Sequence, residues 1–115
     1  MRTLVLLVAV PLAGCFGPGR PDSQWATQVD SAMRIPNPQS RSNTIGTLAQ
    51  TAAYDGDPAS VRYALDRLDP GPKSDQIIAA CVAQLAQKDK TEARRIAGRI
   101  GDETKRAEAL AKLDK

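Results

Sequence analysis

The sequence predicts an all-α protein: a short solenoid of antiparallel helical hairpins, with a period of about 32 residues and five or six helices. Three observations carry that prediction. From residue 24 onward, apolar residues recur at three- and four-residue spacing, without the alternation a half-buried strand requires. Residues that start and stop helices stand at the ends of those stripes. The chain also matches itself at a shift of 32 residues.

The elements follow in order. A first helix over about 24–34 opens at Trp25 and is expected to close at Pro36-Asn37-Pro38. A second, over 42–55, carries Ile45, Leu48, Ala49, Ala52 and Ala53 on one face. Asp57 followed by Pro58 is an N-cap with proline at the first helical position, where its missing N–H costs nothing. It opens a third helix over 58–68, striped by Val61, Ala64, Leu65 and Leu68. Asp69-Pro70-Gly71-Pro72 cannot continue a helix and forms a turn. A fourth helix over 73–87 has the wider stripe Ile77, Ile78, Cys81, Val82 and Leu85. Asp89 with Glu92 three residues on resembles a capping box for a fifth helix over 90–100, whose stripe is Ala93, Ile96, Ala97 and Ile100. Gly101-Asp102 supplies a stop and a new cap, and Ala107, Leu110 and Leu113 stripe a sixth helix over 103–113. Each stripe has to be buried against a neighbour.

The 32-residue shift places Ile45 on Ile77, Asp57 on Asp89, Arg62 on Arg94, Arg67 on Arg99 and Leu68 on Ile100. It also places Ala64-Leu65 on Ile96-Ala97. Large and small trade places with little change in summed volume, as close packing demands. Leu48-Ala49, Gly56-Asp57, Val61 and Leu65, and then Ala80-Cys81, Lys88-Asp89, Ala93 and Ala97, together resemble the tetratricopeptide pattern. The likeness covers about 42–115. It departs from the family in its shorter period and in lacking aromatic residues on the first helix of each unit. The resemblance implies a right-handed stack of hairpins that holds a partner protein; a generic helical-hairpin solenoid of the HEAT-like kind is the alternative. Solenoids need about three units, because each buries its face only on the next. Reading 24–34 as the second half of an incomplete unit gives half, whole, whole, half.

The amino terminus reads as an address. Met1-Arg2 supplies a positive charge and Thr3 to Val10 an apolar run too short to span a bilayer. The run ends in Leu12-Ala13-Gly14-Cys15, which resembles the lipobox of bacterial lipoproteins. That resemblance implies cleavage between Gly14 and Cys15, a diacylglycerol on the Cys15 thiol and acylation of the new amino group. Residues 1–14 are then a cleaved signal peptide, 15–23 a lipidated Cys with a Gly/Pro tether, and 24–115 the helical-repeat domain. Phe16 after the cysteine, where an Asp would retain such a protein at the inner membrane, favours the periplasmic face of the outer membrane if the host is Gram-negative.

Composition excludes much chemistry. The chain has no histidine, so an imidazole base, a Ser/His or Cys/His pair and a His-ligated metal are all absent. Asp55 and Asp57 fall short of a calcium loop, and no phosphate-binding glycine loop occurs. Net charge is +3 for the whole chain and +2 without residues 1–14, which demands no nucleic-acid partner. With Cys15 lipidated, Cys81 is a free thiol inside an apolar stripe. Arg62 with Asp66, and Glu92 with Arg95, have the spacing of surface ion pairs along one helix. Trp25, Tyr54, Tyr63, Arg95 and Arg99 are the candidate partner contacts. The expected function is a lipid-anchored, non-enzymatic adaptor for an envelope protein, with no cofactor, metal or nucleic acid. The alternative is a structural or peptidoglycan-proximal envelope lipoprotein without a discrete protein client.

Overall fold

A computed structural model describes residues 21–114. They form α1 (Gln24–Ala32), α2 (Pro38–Tyr54), α3 (Pro58–Leu65), α4 (Pro72–Leu85), α5 (Lys90–Ala97) and α6 (Glu103–Leu113). No strand occurs among the described residues, and the all-α prediction holds.

Five of the six helices begin on a side chain that accepts from the first-turn N–H groups. Ser23 Oγ accepts from Ala26 N at 3.1 Å, Asp57 Oδ1 from Ser60 N at 3.2 Å, and Asp102 Oδ1 from Lys105 N at 2.9 Å. Asp89 accepts from Glu92 N at 3.1 Å, but only half of the expected capping box forms, because the Glu92 carboxylate is held by Arg62 and Arg95 instead. Asn37 Oδ1 accepts from both Gln39 N and Ser40 N, at 2.9 and 3.0 Å. This last cap corrects a boundary. Pro36-Asn37-Pro38, expected to close the first helix, opens the second, and α2 starts four residues before position 42. The physics is that of Asp57-Pro58: an acceptor satisfies orphan donors while proline presets φ for the first turn. The first helix ends unaided at Ala32, with Met33 as C-cap.

The helices α1, α3 and α5 share one ending. Past the last full turn, two consecutive N–H groups bond three residues back: Arg34 to Ser31 and Ile35 to Ala32, Arg67 to Ala64 and Leu68 to Leu65, Arg99 to Ile96 and Ile100 to Ala97. This tightening stops the α-helix at Leu65 and Ala97 rather than at 68 and 100. Leu68 and Ile100 still pack on the core. In this ending α1 is like α3 and α5.

Each helix packs on the next and on the next but one, and none of the six reaches a helix three places on. The seam is lined by small residues: Ala49, Ala52 and Ala53 of α2, Ala64 of α3, and Ala93 and Ala97 of α5 are buried beside Ile45, Val61, Leu85 and Ile96. Both members of the exchanged pairs Ala64-Leu65 and Ile96-Ala97 are buried. On the sixth helix Leu113 is buried and Leu110 half-buried, whereas Ala107 is exposed, so that stripe is narrower than expected. Two glycines allow close approach. A Cβ on Gly46 would lie 2.6 Å from Ile77 Cδ1, where α2 meets α4. At the α2–α3 turn Gly56 has φ +76°, and a Cβ there would lie 2.8 Å from Lys88 Cδ.

One polar joint lies inside. Ser60 is the only buried polar or charged residue among those described, at 1 % exposure. Its hydroxyl donates to Asp57 Oδ2 at 2.6 Å, so the 2.7 Å contact between the Ser23 and Ser60 hydroxyls has Ser23 as the donor. Ser23 in turn accepts from Ala26 N. The caps of α1 and α3 are thereby joined through one serine. Ser60→Ala should lower the unfolding free energy by about 1–3 kcal/mol, the cost of leaving buried partners unsatisfied. In a urea-denaturation cycle, Ser23→Ala should cost less in the Ser60→Ala background than alone; additive costs would mean that the two hydroxyls act independently.

Candidate functional site

The outer edge formed by α1, α3 and α5 is a row of polar bonds between successive helices. The Tyr63 hydroxyl donates to Asp30, linking α3 to α1. Arg62 pairs with Glu92 and Arg99 with Asp66, both linking α3 to the α5 segment. These bonds replace the expected pair of Arg62 with Asp66 along one helix. Asp66, the C-cap of α3, keeps helical geometry, and each member of the expected pair takes a partner on the α5 segment instead. The expected pair of Arg95 with Glu92 is present at 3.0 Å. Arg94 reaches Asp114 at 2.9 Å, tying α5 to the end of α6.

This edge fixes what the candidate contact residues can do. Tyr63 is 6 % exposed, with its hydroxyl on Asp30 and the Arg67 guanidinium 3.5 Å above its ring. It is a packing residue, and a surface role would need the α1–α3 contact to open. Arg99 is held by Asp66, and Arg95 lies exposed beside Glu92. Trp25 is half-buried against the core from the first turn of α1. Tyr54 is the most open large apolar side chain among the described residues, at 66 % exposure, with the Lys88 ammonium 5.6 Å from its ring centre. The structure does not gather the five into one site. Tyr54 and Lys88 meet at the α2–α3 turn, while Arg95 and Arg99 belong to the ion-paired edge. Gly14 and Cys15, with the signal peptide and residues 15–20 of the expected tether, lie outside the described residues. At the other end of that span Ser23 is the cap of α1 and is bonded to Ser60, so it belongs to the folded domain.

The surface that sequence reasoning missed lies between α4 and α6. There a recess of about 360 Å³ is lined by Ala79, Val82, Ala83, Ala86, Ala109 and Leu113 and rimmed by Asp75, Gln76, Lys105, Glu108 and Lys112. It is an apolar trough with charged lips, not a polar cavity. The exposed alanines of α4 were the signal. They stand outside the periodic stripe, on the side where α6 covers the helix only in part. A second recess of about 380 Å³ lies by the Pro70-Gly71-Pro72 turn, between Leu65, Leu68, Ile78 and Arg99.

Ser60 is buried, and its hydroxyl bond to the half-buried Asp57 is spent on two helix caps, while the Tyr63 hydroxyl is spent on Asp30. No group of three or more His, Cys, Asp or Glu residues is placed to hold a metal ion among the described residues. Cys81 is fully buried in the α4 stripe, and burial pushes its thiol up to about 12 from 9.0. No helix of the described residues is long and apolar enough to cross a membrane. No protein-family model matches the chain, and no curated protein or solved structure matches it significantly.

The thiol gives a direct test. Native protein at pH 8 should leave Cys81 unlabelled by a maleimide over hours, while denatured protein labels at once. Because the folded pKa is raised, the unfolded chain loses this proton first as pH climbs. Stability associated with Cys81 is therefore complete below about 9 and declines between about 9 and 12. Cys81→Ala, compared with wild type by denaturant unfolding across pH 8 to 11, should remove that part of the alkaline decline.

Proposed function

We propose that the protein is a lipid-anchored, non-enzymatic adaptor of the bacterial envelope, held by acyl chains on Cys15, that presents a tetratricopeptide-like stack to a partner protein. The observation that supports it most is the division of labour among side chains. Ionic and buried polar groups join helices to one another, and an apolar trough lies open between α4 and α6. Small residues on the facing sides of α4 and α6 suit close approach by a partner helix or extended segment, with the charged lips setting its register. The nearest- and next-nearest-neighbour packing of the helices is what a short solenoid requires. The Leu12-Ala13-Gly14-Cys15 motif supplies the anchor, and the residues between Cys15 and the Ser23 cap the tether. Two or three acyl chains would make the attachment durable. Phe16 directs the reading to the periplasmic face of the outer membrane, if the host is Gram-negative.

Two measurements test this. Cys15→Ser should move the protein from the membrane to the soluble fraction, and intact-mass analysis of the wild type should show acyl chains; an unmodified mass defeats the anchor. For the adaptor role, a photo-cross-linking residue at Ala83 or Ala109 should trap one protein of defined mass in intact cells. The same probe at Gln28, on the polar outer face of α1, should trap none. Cross-linking to bulk cell-wall material would favour the structural, peptidoglycan-proximal alternative instead, and equal capture from both sites would remove the trough from the proposal.

A further inference from the structure

The stack has two distinguishable ends. Ser23, the first cap, touches Ser60 of the first turn of α3 at 2.7 Å, so the chain enters the stack beside the α2–α3 turn. Lys88, from the α4–α5 turn, lies over the Tyr54 ring and against Gly56. Entry point, α2–α3 turn and α4–α5 turn are thus one end. The opposite end holds the turns around residues 33–37, 66–71 and 98–102, where Gly101 N and Asp102 N both donate to Asp75.

We propose that the end carrying Ser23, Tyr54, Gly56 and Lys88 is turned toward the bilayer, with Tyr54 and Trp25 as aromatic side chains at the lipid headgroups. The proposal rests on lipidation of Cys15 and adds to it an orientation. Eight residue steps separate Cys15 from Ser23, which at most span about 28 Å. The seventeen residues of α2 are about 25 Å long. Turning the far end to the membrane would require the tether to run back along a helix length at almost full extension. Turning the near end requires no such stretch.

The side chains at the near end suit a headgroup layer. Tyr54 is exposed and ends α2, and Trp25 is half-buried two residues after the Ser23 entry point. Amphipathic rings of this kind prefer the membrane–water interface, and a lysine stem can lie along such a ring with its ammonium in water. Asp55, Asp57 and Asp89 stand at the same two turns, so the end carries no excess of positive charge. The fitting surface is therefore a zwitterionic one, in contrast to the anionic surface that a polybasic segment would seek.

Trp25, the sole tryptophan, is a built-in probe. Lipidated, full-length mature protein would be reconstituted into phosphatidylcholine vesicles containing lipid brominated near the headgroup. Trp25 emission should fall by about half or more relative to unbrominated vesicles. In a Trp25→Phe background, Tyr54→Trp should be quenched similarly, whereas Met33→Trp, at the far end and 42 % exposed, should hardly be quenched. Equal quenching of the two, stronger quenching at position 33, or an unquenched wild-type Trp25 would overturn the orientation. The wild-type measurement needs no substitution, and circular dichroism checks that the variants fold. Acyl mass is read on the same samples. Protein that carries no acyl chain refutes the anchor itself, whereas acylated protein with unquenched Trp25 refutes only the orientation.

Discussion

Scarcity of large aliphatic side chains is the constraint from which the rest of this structure follows. Eight of the twenty buried hydrophobic residues are alanines. An alanine removes little area from water, so it stabilises a seam only if two backbones come close enough for their own atoms to make contact. Close approach explains why glycine stands at position 46 against Ile77, and why Gly56 lies under the Lys88 stem. It also explains why one methyl more or less is matched across the stack, as in the exchange of Ala64-Leu65 for Ile96-Ala97. Propensity works in the same direction, since alanine is the residue that gives up least on entering a helix.

A seam of alanines leaves room for polar joints to contribute. Cap residues satisfy the orphan N–H groups that short helices have in high proportion, because a helix of eight residues leaves about half of its donors unbonded inside itself. The same carboxylates and hydroxyls then reach a second helix. Asp57 caps α3 and holds Ser60, which reaches the cap of α1. Asp75 sits in the first turn of α4 and accepts from the two N–H groups that precede α6. Arg41 and Arg106, each near the start of its helix, donate six residues back to Ile35 O and Ile100 O. Such groups fix the angle between helices that featureless alanine surfaces would leave free to slide.

Much of this was legible in the sequence because stripe and cap are local signals. The stripe of α5 and the caps Asp57, Asp89 and Asp102 lie where spacing puts them. Errors arose where one residue pattern serves two purposes. Asn37-Pro38 reads equally as a stop and as a start, and only the position of the preceding helix end decides. Arg62 had two carboxylates within reach, and helix spacing names Asp66 while the fold selects Glu92. Tyr63 stood among the candidate partner contacts because its own partner, Asp30, is 33 residues away, beyond the reach of local spacing. The trough between α4 and α6 was only hinted at by the α4 alanines outside the stripe, since its width depends on how far two helices stand apart.

The doubly bonded cap at Ser23 has a mechanical meaning. Tension on the chain ahead of Ser23 does not end at the first turn of α1. It passes through the Ser23 hydroxyl to Ser60, and from there to Asp57 at the start of α3. The load is shared at once between two helices joined by residues 37 apart in sequence, so α1 does not bear it alone. A stack with so small an apolar core would unravel readily if pulled helix by helix from one end. Fastening the first two like helices at the point where force enters protects it against being peeled.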